Sequence, residues 1–126
     1  MQSTLENAIN EWHVAVNSGD LERSAEAVSD PSVVLGPKGA GSISPQEFAG
    51  WVERSGIRLV PLSWHPVSDR MTVVEQDATW PESTEPSRVA TIFRVTGTKV
   101  SASLRLPDVK SALELANICS EMAATQ

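Results

Sequence analysis

The residues of this sequence best suited to chemistry are two histidines, His13 and His65, and two carboxylates, Glu75 and Asp77, set in the stretch TVVEQDATW at residues 72 to 80. An imidazole titrates near neutral pH and can act as a general base, and so can a carboxylate withdrawn from water. Each has a quieter alternative. Histidines beside a pocket mouth or at a strand end sit at a rim or surface, and strand carboxylates commonly balance arginines on neighbouring strands. Four tryptophans, Trp12, Trp51, Trp64 and Trp80, stand beside only two phenylalanines and no tyrosine. An indole fills volume and donates one hydrogen bond, so it suits a core as well as a pocket wall. The single cysteine, Cys119, lies in the apolar run LELANIC and reads as a helix packing residue; alone it makes neither an internal disulfide nor a thiol metal site. Two distant histidines form no metal motif, nothing marks a nucleophile elbow, and no cofactor is implied. Residue types alone therefore leave the catalytic residues unknown.

The elements that must position these residues follow from periodicity and punctuation. Ser3 with Glu6 fits a capping box, after which Leu5, Ile9, Trp12 and Val16 recur on one helical face until Gly19, predicting a helix over residues 4 to 18. Asp20 can cap a second, shorter helix that Ser29-Asp30-Pro31 would end. SVVLG then reads as a short strand, and GPKGAGSIS as a loop or tight hairpin. Ser44-Pro45-Gln46-Glu47 combines an N-cap, a first-turn proline and a capping-box glutamate, and so starts a third helix carrying Phe48, Trp51 and Val52, ending near Gly56. From Ile57 the period becomes that of strands: IRLVPLSWH, with Pro61 marking an edge or bulge, then RMTVVEQDATW, SRVATIFRV and KVSASLRL. Asp108 caps a last helix with Val109, Ala112, Leu113 and Ala116 on one face. One α+β domain spanning residues 1 to 126 results, with no repeat, linker or low-complexity segment.

Strand alternation assigns faces. If Gly97-Thr98 forms a two-residue turn, Val95 opposes Val100, and one face collects Val89, Thr91, Phe93, Val95, Val100, Ala102, Leu104 and Leu106. The other collects Ala90, Ile92, Arg94, Ser101, Ser103 and Arg105. The same alternation puts Val74, Gln76, Ala78 and Trp80 inward and Glu75 and Asp77 outward, where they are expected to balance Arg94 and Arg105. Gln76 and Thr91 are then polar groups on an apolar face, and burial obliges each to find a partner. A bulge or a longer hairpin would reverse such assignments.

The totals narrow the function classes. A 126-residue chain with 40% hydrophobic and 21% charged residues can bury a real core, and no apolar run approaches a membrane span. With a formal net charge of −6 and ten scattered Lys and Arg residues, it has no basic stripe for nucleic acid. MQSTLENAINEW shows no secretory signal, so cytoplasm is the default expectation.

The order of two helices, short strand, Gly-rich loop, helix, four long strands and final helix, with AVNSGDLE, GPKGAGSIS and IFRVTGTKV at its junctions, resembles the nuclear transport factor 2-like superfamily, which includes ketosteroid isomerase and SnoaL-like cyclases. The resemblance covers nearly the whole chain. It implies a cystatin-like fold, a curved mixed or antiparallel sheet wrapped around N-terminal helices as a cone-shaped α+β barrel. It also implies a conical pocket for a small hydrophobic molecule and a homodimer through the outer sheet face. On that basis Trp12, His13, Trp51, Gln76, Trp80, Thr91 and Phe93 are expected around the pocket, and Glu75, Asp77, Arg94 and Arg105 on the dimer face. The isomerase's own chemistry does not carry over. Its first-helix phenol corresponds to Trp12, its general-base aspartate falls near Gly36, and its second, protonated aspartate falls near Thr91. The isomerase reaction depends on those two tuned carboxylic acids, and neither has a counterpart here. The arginine and paired aspartates of an epoxide hydrolase on this fold also lack clear inward matches. Three functions fit: a small-molecule pocket protein, an enzyme using His13 or His65 in the cone, or a dimeric interaction protein with a plugged pocket.

Overall fold

The computed structural model describes residues 4–36 and 39–124. Four helices, α1 (Thr4–Ser18), α2 (Leu21–Glu26), α3 (Pro45–Ser55) and α4 (Val109–Ala124), accompany six strands: β1 (Val28–Gly36), β2 (Gly39–Ile43), β3 (Arg58–Ser68), β4 (Met71–Thr79), β5 (Ser87–Thr96) and β6 (Lys99–Leu106). The strands form one curled, unclosed mixed sheet in the order β2-β1-β6-β5-β4-β3, antiparallel except where β1 runs parallel to β6.

The expected caps operate. Asp20 accepts from the Arg23 amide at 3.0 Å, Ser44 and Glu47 exchange both bonds of a capping box, and Asp108 accepts from the Ser111 amide at 2.7 Å. The Ser3 cap lies outside the described residues, as do residues 37 and 38 between β1 and β2. Helix α2 ends at Glu26, earlier than Pro31 would require, because β1 already begins at Val28. Pairing of β1 with β6 is interrupted between Val28 and Val33, which accommodates a proline that has no amide to donate. GPKGAGSIS supplies a sixth strand, β2, paired with β1.

The interior lies on the concave side. Ile9, Trp12 and Val16 of α1 and Phe48 and Val52 of α3 pack against Val74, Ala78, Phe93, Val95 and Val100 of the sheet. Removing such apolar surface from water is worth roughly 25 cal/mol per Å².

One register expectation is corrected. Val95 does oppose Val100 across the Gly97-Thr98 turn, but Arg94 then pairs with Ala102, leaving Ser101 as an extra residue on β6. The Arg94 guanidinium fastens this bulge, donating from Nε to Ser101 Oγ at 3.0 Å and from Nη2 to the Ser101 carbonyl at 3.3 Å, while Thr96 Oγ1 donates to the same hydroxyl at 2.8 Å. Beyond it every β6 side chain changes face: Leu104 opposes Ile92 and Leu106 opposes Ala90, whereas Arg105 opposes Thr91 on the concave side. Arg105 is therefore not on the outer face. Val73, Ala90, Ile92, Leu104 and Leu106 now make an apolar patch on the convex side, and α4 covers it with Ala112, Ala116, Val109 and Leu113.

The outward placement of Glu75 and Asp77 holds, but their cation is Arg88. Its Nε lies 2.7 Å from Asp77 Oδ1 and its Nη1 3.9 Å from Glu75 Oε2. Arg94 is held by Ser101 instead. Helix α4 thus covers the part of the convex face formed by Val73, Ala90, Ile92, Leu104 and Leu106.

Candidate functional site

Three polar side chains meet inside the concave face. Thr91 Oγ1 donates to Gln76 Oε1 at 2.6 Å, Gln76 Nε2 faces His13 Nε2 at 2.8 Å, and His13 Nδ1 faces the Ile9 carbonyl at 2.8 Å. The direction of the chain follows from its ends. A carbonyl only accepts, so Nδ1 carries the imidazole proton, and Nε2 is left to accept from the Gln76 amide. Gln76 is 0% exposed, and His13 and Thr91 4% each. Burial pushes the His13 pKa below its ordinary value, outweighing the opposing effect of the Ile9 bond, which fits a neutral ring. Trp12 and Phe93 box the imidazole, with centroids 5.1 and 5.5 Å away.

This arrangement is rigid and chemically closed. Both ring nitrogens of His13 are committed to protein partners, so the imidazole does not offer a lone pair to a substrate. The inward positions of β4, β5 and β6, from Thr72 through Gln76 to Thr91 and Ser103, hold no carboxylate. His65 sits opposite Val73, on the convex side. Its Nε2 is 2.9 Å from Ser63 Oγ, and that hydroxyl donates to Glu75 at 3.2 Å. The hydroxyl therefore stands between acid and imidazole, the wrong order for a histidine to activate a serine.

The open space lies elsewhere. A groove of about 630 Å³ runs between the N-terminal half of α1 and the β3–β4 hairpin, lined by Leu5, Glu6, Asn10 and, from the sheet, Trp64, Pro66, Ser68, Asp69 and Thr72. Trp64 is the link to the interior, with its ring 6.5 Å from that of His13. None of the seven residues expected around a pocket is among those lining the groove. Trp12, His13, Gln76, Thr91 and Phe93 are packed beneath it as buried core, and Trp51 and Trp80 lie half-buried on the concave side. The groove residues had one legible signal: alternation along β3 puts Trp64, opposite Val74, on the inner face. Among the described residues no cluster of three or more His, Cys, Asp and Glu stands ready for a metal, and no helix is long and apolar enough to cross a membrane.

Neither a protein-family model nor a curated protein matches the sequence. Solved structures do match in shape. An NTF2-like protein of unknown function from Cytophaga hutchinsonii superposes with a TM-score of 0.73 at 11% identity, over 88% of this chain and 96% of its own. An uncharacterised cystatin-fold protein from Novosphingobium aromaticivorans gives a TM-score of 0.66 at 13% identity, over 84% and 99%. A Mycobacterium tuberculosis protein in complex with estradiol-17β-hemisuccinate gives 0.69 at 15% identity, over 86% and 97%. At these identities the likeness is one of fold. With helices held in a curled, unclosed sheet, the chain has the nuclear transport factor 2-like, cystatin-like fold.

Proposed function

We propose that the protein binds a small, largely apolar molecule in the groove between α1 and the β3–β4 hairpin, without the proton transfer of ketosteroid isomerase. The observation that carries this reading is the groove itself, with Leu5, Trp64 and Pro66 as apolar walls and Glu6, Asn10, Ser68, Asp69 and Thr72 as polar groups to orient a ligand. The steroid conjugate held by the Mycobacterium tuberculosis neighbour supports a small-molecule role on this fold. An enzyme built on His13 is disfavoured by the commitment of both its nitrogens. Calorimetric titration with a neutral apolar probe, 1-naphthaleneethanol, tests the reading. Saturable binding that Trp64→Ala abolishes is expected, and no saturable binding to the unaltered protein would sink it.

A second reading, an interaction protein with a plugged cone, is supported by the filled interior and by Ile118, which is 57% exposed on α4. The homodimer that the resemblance implies is compatible with either reading. With α4 on the convex face, pairing would use the sheet rim or the helix itself.

A further inference from the structure

Three residues far apart in sequence converge on the concave side, outside the groove. Trp51 comes from α3, Trp80 follows β4, and Arg105 comes from β6, turned inward by the Ser101 bulge. The Arg105 guanidinium carbon lies 5.8 Å from the Trp51 ring centre and 5.7 Å from that of Trp80. Both distances are within cation–π reach. All three side chains are half-buried.

What the guanidinium lacks is an acceptor. Among the described residues, Arg23 and Arg88 meet carboxylates, Arg58 and Arg94 donate to backbone or hydroxyl oxygens, and Arg54 and Arg70 are exposed to water, whereas Arg105 is half-buried and no acceptor in the protein reaches it. The chain carries 16 acidic residues, so the lack is local. Burial pushes the Arg105 pKa down, and no nearby carboxylate acts to raise it. The group nevertheless stays charged, because a guanidinium does not lose its proton under ordinary conditions. A half-buried cation gains from a partner anion, and its in-plane fork of N–H donors matches the two oxygens of a carboxylate. The indoles would flank whatever apolar body that carboxylate is attached to. The net charge of −6 disfavours a dianion such as phosphate more than a monoanion.

We propose that Arg105, Trp51 and Trp80 form a second binding site, one that takes the carboxylate of an organic acid with an apolar body. This site does not share a lining residue with the groove. Arg105 opposes Thr91, which opposes Val74 and through it Trp64, so the guanidinium's strand lies three strands from the groove tryptophan, roughly 14 Å at about 4.8 Å per strand.

Calorimetric titrations with 1-naphthaleneacetate and its neutral counterpart 1-naphthaleneethanol test the proposal on the unaltered protein and on Arg105→Met, Arg105→Lys and Trp64→Ala. The acetate should bind at least tenfold tighter than the alcohol. That preference should shrink to within about twofold in Arg105→Met, shrink severalfold in Arg105→Lys, and survive in Trp64→Ala. The lysine variant keeps the charge, so it still reads out the fork geometry should the methionine variant fail to fold. Equal affinity for the two probes, no binding of the acetate, or a preference that persists in both Arg105 variants overturns the proposal. A preference lost in Trp64→Ala would place the anion in the groove and overturn it as well.

Discussion

Gln76 faces His13 across 2.8 Å in the core, with its amide nitrogen toward the imidazole and its oxygen accepting from Thr91. One side chain thus satisfies two others, and the concave floor is held by neutral hydrogen bonds where the resemblance would allow tuned acids.

Replacing that amide should be costly out of proportion to its size. Gln76→Leu leaves the His13 lone pair and the Thr91 hydroxyl buried and unpaired, at about 1–3 kcal/mol for each orphaned group. A loss of roughly 2–6 kcal/mol in denaturant unfolding is expected. Adding Thr91→Val should recover part of it, since that removes one orphan. Strict additivity of the two changes would mean that the hydrogen-bond chain carries no coupling.

His13 also sets a pH dependence. Its folded pKa lies below the ordinary value of 6.5, so the unfolded state takes up a proton more readily. Stability from this group is therefore complete above about pH 6.5 and falls as pH drops toward the folded pKa, by at most about 1.4 kcal/mol per pH unit. Urea midpoints should decrease between pH 7.5 and 5.5 in the unaltered protein and change less in His13→Phe. Parallel profiles would assign the dependence to other groups.

The four tryptophans should separate by burial. Trp12 is 3% exposed and packs on Phe48 and Phe93, so Trp12→Ala is expected to cost about 3–5 kcal/mol. Trp80 is half-buried beside Arg105, and Trp80→Ala should cost clearly less. Thermal melts showing the reverse order would contradict the assignment of Trp12 to the core.

Gly56 ends α3 with φ at +62°, and a Cβ placed there would approach Pro81 Cγ to 2.7 Å. Gly56→Ala combines left-handed strain with a clash against a stiff ring, and should destabilise by about 1–3 kcal/mol in thermal unfolding. A neutral effect would show that Pro81 can yield.

Much of this fold was legible in the sequence. Ser44 and Glu47 announced α3, Asp108 announced α4, and Gly97-Thr98 fixed the pairing of Val95 with Val100. The alternation of β4 put Gln76 inside and Glu75 outside because one pleated strand with an intact period needs no knowledge of its neighbours. What stayed hidden was Ser101. A serine bulge has no glycine or proline to mark it, and its cause is tertiary, a guanidinium on the adjacent strand bonding to its hydroxyl and carbonyl. That one residue moved Arg105 inward and put Leu104 and Leu106 under α4, whereas Arg88 meets Asp77 directly through the β4–β5 register. The groove was hidden for a similar reason. It arises where α1 meets the β3–β4 hairpin, and no local pattern encodes the space between two elements.

The most direct test of the groove as the binding site follows the four indole N–H resonances in a ¹⁵N-resolved NMR titration with 1-naphthaleneethanol. A saturable shift of the Trp64 indole, with the buried Trp12 indole unmoved, is the predicted result. A spectrum in which Trp64 stays fixed at saturating probe, or in which Trp12 moves first, would contradict it.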